Sequence, residues 1–268
     1  MYDKYGYIHD AVCHDPGGRG ILCNLPPPDL VSVAAALLAA QNVVIATGFP
    51  TAGVGIGETD GPPGAARIAA MLTRLGKRPL VVTDGLSADL VAGALAACAP
   101  GTPVLGLPLP GGRQAAPGLA ADLVISIERP GRGPDGHYRN MRGEVIDYMT
   151  ADTDWLLDLA PSIAIGDGGN ELGMAVVNPR LSARVATHML AAGISNWWAW
   201  GLCALMQAET GLALLPEDFE ERQVLAACVA AGGVDGVTRK KEQTVDGLPF
   251  EESLKVLRRL RERTPAPR

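Results

Sequence analysis

Four short apolar runs in this chain end in, or lead directly into, acidic side chains. The run 43–48 (VVIATG) opens a glycine-rich loop that finishes with Glu58, Thr59 and Asp60, and the run 79–84 (PLVVTD) ends in Asp84. The run 123–127 (LVISI) is followed by Glu128 and Arg129, and 162–166 (SIAIG) by Asp167, Gly168, Gly169, Asn170 and Glu171. Carboxylates brought close together repel and hold their protons more tightly unless a cation compensates, and hard oxygen donors suit Mg²⁺, Mn²⁺ or Ca²⁺. A divalent-cation site is the first chemical expectation. The stretch 166–173 (GDGGNELG) is the most informative, because polar groups stand among four glycines. Glycine lets the backbone approach a ligand closely and leaves N–H groups free to cradle an anion. Each acid taken singly is an ordinary helix cap or turn residue. Their recurrence at successive run ends is what points to a cation.

Basic residues that suit an acidic substrate stand in the stretch 128–144 (ERPGRGPDGHYRNMRGE), where Arg129, Arg139 and Arg142 lie in a loop after a strand. A planar guanidinium grips a carboxylate through two parallel hydrogen bonds, and the alternative is solvated loop charge. Gly53, Gly55 and Gly57 have G-x-G-x-G spacing with the helix beginning several residues later, so NAD is not expected. No phosphate-binding G-x-x-x-x-G-K-[ST] loop occurs. His9, His14, His137 and His188 are scattered, which suits surface or capping roles. Trp197, Trp198 and Trp200 read as core or as subunit-interface material, the latter implying a homo-oligomer.

The elements that must position these groups follow from the apolar pattern. Continuous runs rich in Val and Ile are the signature of strands buried on both faces. Between the first two, Pro62 and Pro63 open a helix with Ala65, Ile68, Leu72 and Leu75 on one face, and Gly76 closes it. After Asp84, Ser87 caps a helix with Leu90, Val91, Ala94, Leu95 and Cys98 on one side. The alternation continues through 103–107, 123–127, a short helix near 152–159 and 162–166. It predicts an α/β fold with a mostly parallel sheet and helices on both faces, a Rossmann-like three-layer sandwich. In such sheets ligands bind beyond the carboxyl ends of the strands, where the acids stand. The expected organisation is one domain over 1–268, with 1–42 an N-terminal helical segment and 239–268 a C-terminal helical extension. Phe250, Leu254, Leu257 and Leu260 form the buried stripe of the last helix.

Composition narrows the class. At 47% hydrophobic and 19% charged, the chain is not disordered, and 268 residues can bury a core without disulfides. The net charge of −6, with no long basic run, excludes a surface prepared for nucleic acid. Cys13, Cys23, Cys98, Cys203 and Cys228 are an odd set without C-x-x-C spacing, which suits a reducing compartment rather than disulfides or thiolate zinc. The first ten residues lack the apolar stretch of a signal peptide, and 197–206 is too short to span a bilayer. A cytoplasmic protein without a membrane segment is expected.

Three longer motifs, in order, carry a resemblance: ETDGPPGA (58–65), ERPGRGPDGHYRNMRG (128–143) and IGDGGNELGM (165–174). With DPGGRGI (15–21), SNW (195–197) and VDGVT (234–238), they resemble the D-glutamate cyclase family over most of the chain. Eukaryotic members carry an additional N-terminal region and are mitochondrial, and no transit peptide is visible here. The resemblance implies an enzyme that converts D-glutamate to 5-oxo-D-proline and water, with Mn²⁺ or Mg²⁺, or Ca²⁺, as the cofactor. It implies Glu58, Asp60, Asp167 and Asn170 at the metal, with Glu171 or Asp167 carrying protons. Arg129 or Arg142 would hold the α-carboxylate, with Asn140, Asn196, Gly168 and Gly169 around the substrate and Asp235 in a lesser role. Two other readings remain open at this point: a metal-dependent hydrolase of a phosphate ester or lactone, and a non-catalytic binder of a small acidic metabolite that signals through the tryptophan-rich surface.

Overall fold

A computed structural model describes residues 4–268. The first three residues of the expected N-terminal segment, and the side chain of Cys23, lie outside what it describes. Six parallel strands form the central sheet: β1 (Asn42–Thr47), β2 (Arg78–Asp84), β3 (Val104–Leu107), β4 (Leu123–Ile127), β5 (Ser162–Gly166) and β6 (His188–Ala191). Their spatial order is β3-β2-β1-β4-β5-β6. The chain reverses its winding direction at β1 and β4, which pair in register from Val43 opposite Leu123 to Thr47 opposite Ile127. That reversal opens a crevice beyond the ends of these two strands.

Residue alternation along the strands feeds two different covers. Val43, Ile45, Val81, Ile125, Ile163 and Ile165 point into the larger apolar cluster. Helices α1 (Gly6–Val12), α2 (Leu30–Ala39), α3 (Pro62–Arg74), α4 (Ala88–Cys98), α5 (Asn196–Thr210), α6 (Asp218–Ala230) and α7 (Phe250–Arg263) contribute to the same cluster. Val44, Ala46, Val82 and Val124 point the other way and meet Ala151, Trp155 and Leu156. The three layers are those expected, but the second cover consists of loops and single turns such as the 3₁₀ segment Asp154–Asp158, not of regular helices. From the two ends of the chain, α1 and α7 pack on each other and on α5.

One strand was not expected, one expected cap is corrected and one open alternative is decided. Strand β6 (HMLA) has no β-branched residue and follows a long irregular stretch, so it left no sequence signal; the neighbouring β5 recruits it. Ser87 precedes α4 but makes no capping bond; its hydroxyl instead faces the close approach of Gly48 and Gly57. Trp197, Trp198 and Trp200 are all buried in the core of this chain, which removes the interface reading. Cys13, Cys98, Cys203 and Cys228 are free thiols. Among the described residues, no helix is long and apolar enough to cross a membrane.

Candidate active site

The loop from β1 and the first residue after β4 meet at the crevice between those strands. Asp60, Glu128 and Asp167 each offer one carboxylate oxygen there, and the three oxygens lie within 4.8 Å of one another. All three residues are buried.

Each acid is held by a separate local device. Asp60 accepts from the backbone N–H groups of Ser195 (2.8 Å) and Asn196 (2.9 Å), so it caps the start of α5. Asn196 returns the arrangement: its Oδ1 accepts from Gly61 (3.1 Å) and Gly64 (2.8 Å) at the start of α3, and its Nδ2 donates to the Thr59 carbonyl. Two helix N-termini are thereby locked face to face, both directing positive dipole ends toward the acids. Glu128 sits at φ 42°, a left-handed conformation unusual for a residue with a Cβ. A Cβ on Gly61 would come within 2.7 Å of Glu128 Cβ, so glycine is required there. Ser195 Oγ donates to Glu128 Oε2 at 2.5 Å. Asp167 contacts Arg19 Nη1 at 2.5 Å, and Arg19 Nη2 reaches Asp246 at 2.8 Å.

The electrostatics are lopsided. Burial raises the Asp60 carboxyl to about 7, with Asp246 adding to the rise and the α5 N–H groups opposing it. Burial and then neighbouring acids push Glu128 and Asp167 well above the carboxylate range. Glu58, half-buried at the cavity wall, is raised by burial and then by Asp246 and Asp60. Burial works against the charge on Arg19, and Asp167 and Asp246 outweigh it. Arg19 thus pairs with Asp167 and Asp246 in a group of acids that also includes Glu58, Asp60 and Glu128.

Asn170 Nδ2 donates to the Arg139 carbonyl, while its buried Oδ1 has no hydrogen-bond partner among the described residues. An orphan amide oxygen on a residue that lines the same cavity as Glu128 and Asp167 adds to the three carboxylates an oxygen donor of the kind a hard divalent cation takes. The cup opens into a cavity of about 250 Å³ whose wall includes Arg19, Glu58, Glu128, Asp167, Asn170 and Asp246. Asn140, Arg142 and Arg239 also line it.

Of the residues expected at a metal, Asp60 and Asp167 are brought together, and Glu58 and Asn170 line the cavity next to them. Glu128 is the group that the expected metal set lacked. Several other expected roles are corrected. Glu171 is fully buried, and its two oxygens accept the N–H groups of Asp167, Gly168 and Gly169 at 2.6–2.9 Å, so it closes its own loop and does not reach the cavity. The same bonds occupy the Gly168 and Gly169 N–H groups expected to cradle an anion. Arg129 is fully buried, pairs with Asp84 at 2.6 Å and donates to Thr153 Oγ1 and the carbonyls of Gly48 and Ala151. Asn196 has both ends of its amide engaged in capping. Asn140 lines the cavity, but its side chain shapes its own turn by accepting from the Arg142 and Glu144 N–H groups and donating to Glu144. Arg142 is exposed, with no ion pair among the described residues. Asp235 organises a loop behind the wall. Arg19 and Asp246 had no assigned role. The motif DPGGRGI carried the only sequence signal for Arg19, and Asp246-Gly247 looks like any turn.

Two comparisons with known proteins bear on this site. The family described as D-glutamate cyclase-like, C-terminal, matches residues 8–261. The chain is 30% identical over 307 aligned positions to a Homo sapiens protein named D-glutamate cyclase, mitochondrial. That alignment covers 93% of this chain and 50% of the human protein, so the chain spans about half the length of this relative.

Proposed function

This chain belongs to the D-glutamate cyclase-like family, and from that premise we propose that it closes D-glutamate to 5-oxo-D-proline with release of water. The observation that carries the reading is the oxygen-donor cup of Asp60, Glu128, Asp167 and Asn170, opening into a cavity with an unpaired Arg142 at its mouth. Acids below and a guanidinium above suit a small amino acid with two carboxylates.

The reaction forms a bond from the α-nitrogen to the carbon of the γ-carboxyl group (Cδ) and breaks one of that carbon's bonds to oxygen. Of the three ammonium hydrogens, one stays on nitrogen and two leave with the oxygen as water. Because amine and carboxyl belong to one molecule, well-oriented pairs reach effective molarities of about 10⁵ to 10⁸ M. The obstacles are an amine that must lose a proton and a carboxylate that resists attack. Asp60, Glu128, Asp167 and Asn170 would hold a divalent cation, and the chemistry it would supply there is Lewis-acid withdrawal of charge from the γ-carboxylate. Glu58 takes the role of proton carrier: it faces the cavity, lies outside the three-carboxylate group, and has a carboxyl that burial and the neighbouring acids hold above the ordinary carboxylate range. Arg142 meets the α-carboxylate at the mouth. The phosphate-ester reading loses its anion cradle, because the glycine-loop N–H groups serve Glu171. The signalling reading loses its surface, because the tryptophans are buried.

A chiral assay for 5-oxoproline tests the proposal. Product is expected from D-glutamate in Mn²⁺- or Mg²⁺-replete buffer, lost on chelation and restored by the metal. Absence of product from D-glutamate under metal-replete conditions overturns it.

A further inference from the structure

Arg239 stands on a loop that the reading so far leaves without a purpose. It is exposed, makes no ion pair among the described residues, and adopts φ 60°, the left-handed region that side-chain-bearing residues rarely occupy. Such an outlier persists only where its surroundings over-determine it. Here Asp235 does so. Fully buried, it accepts from Val237 N (2.9 Å), Thr238 N (2.8 Å), Thr244 Oγ1 (2.7 Å) and Gly247 N (2.8 Å), while its carbonyl accepts from Arg239 N (2.8 Å). The same loop is tied to the acid cup, because Thr59 N donates to the Val234 carbonyl and Thr59 Oγ1 to the Thr244 carbonyl. A five-bond scaffold on one buried aspartate therefore fixes the backbone from which a charged side chain, without an ion pair among the described residues, extends.

That position is the boundary between two cavities. Arg239 lines the cavity above the acid cup and also a second hollow of about 260 Å³ walled by Ala52, Gly53, Glu144, Val145 and Tyr148. Its Nη1 lies 3.5 Å from where a Cβ on Gly53 would stand, and Gly53 itself has φ 81°. A glycine at this point leaves the guanidinium room on that side.

We propose that Arg239 is the specificity-determining residue of the site: its guanidinium reads the substrate carboxylate that does not react, selecting dicarboxylic over monocarboxylic amino acids. The proposal rests on the cyclase reading for the identity of that carboxylate, the α-carboxylate of D-glutamate. Acids at the cavity floor repel a second carboxylate, so a dicarboxylate enters with one end at the cation and the other at the arginines of the mouth. Arg239 and Arg142 reach that end from separate loops, and a forked guanidinium fixes its orientation where a point charge does not.

The test uses the full chain in Mn²⁺ buffer and three probes: D-glutamate, glutarate as an unreactive dicarboxylate, and 4-aminobutanoate, which is D-glutamate without its α-carboxylate. For Arg239→Met, the KM for D-glutamate and the Kd for glutarate by calorimetry are expected to rise about 10- to 100-fold. The response to 4-aminobutanoate is expected to match that of the unsubstituted protein, and Arg239→Lys is expected to recover only part of the loss. Unchanged glutarate affinity in Arg239→Met, with circular dichroism showing an intact fold, overturns the proposal. An equal loss for 4-aminobutanoate overturns it as well. If the unsubstituted protein makes no 5-oxoproline yet binds glutarate through Arg239, the cyclase reading fails and the carboxylate assignment stands.

Discussion

Glu128 and Arg129 are sequence neighbours at the end of β4, yet they belong to opposite kinds of charged cluster. Arg129 turns toward Asp84 at the end of β2, where one cation meets one anion and further donors find Thr153 and two carbonyls. Glu128 turns toward Asp60 and Asp167, where buried anions outnumber the nearby cation. A buried pair whose charges and hydrogen bonds balance holds loops together and has no need of a ligand. A buried group left under-neutralised is incomplete without one. Burial and charge are common to both clusters, and only the balance separates structure from chemistry.

The largest expected effect is on the unbalanced side. Asp167→Asn should abolish turnover and weaken Mn²⁺ binding in calorimetry, with circular dichroism showing an intact fold. Retained activity in that variant breaks the distinction between the clusters. On the balanced side, Arg129→Met strands Asp84 and should cost about 3–5 kcal/mol in denaturant unfolding. The double variant Arg129→Met, Asp84→Leu should recover most of it, and metal affinity per folded molecule should stay unchanged. Glu58→Gln sharpens the comparison within the cavity: kcat should fall about 10²- to 10⁴-fold and the acidic limb of the pH profile should disappear. Its Mn²⁺ affinity should stay within a few-fold, because Glu58 lies outside the three-carboxylate group.

The smallest effect is on stability against pH. The folded Asp60 holds its proton up to about 7 rather than 3.8, so the folded state binds more protons than the unfolded chain between those values. Its contribution to metal-free stability is therefore lost as pH rises through that window. A cation reverses the penalty, and the rise in Tm on adding Mn²⁺ should be larger at pH 8 than at pH 5.5. Equal increments at both would show that the acids are already neutralised from within.

Much of this architecture was readable before any coordinates. Runs such as 43–48 and 123–127 are apolar on both faces because each strand is covered twice, and that constraint is local enough to leave its mark in the sequence. The strand ends are equally legible, which is why Asp60, Asp167 and Asn170 were expected together. The individual roles were not. Glu171 and Asp167 look equivalent in GDGGNELG, and only the loop's closure, with three N–H groups folding back onto Glu171, removes one of them from the cavity. Arg129 and Arg142 look equally suited to an acidic substrate until Asp84 claims the first.

What the sequence by itself determined is the set of groups offered at one end of a parallel sheet, because the period of buried residues and the punctuation by Gly and Pro are short-range properties. Tertiary structure alone decided which groups are neutralised and which are left over. Arg19 reaches Asp167 and Asp246 across about 150 and 230 residues of chain, and no spacing rule reaches that far. Whether a buried charge is satisfied depends on the sum over all neighbours in space, and those neighbours exist only once the chain has folded.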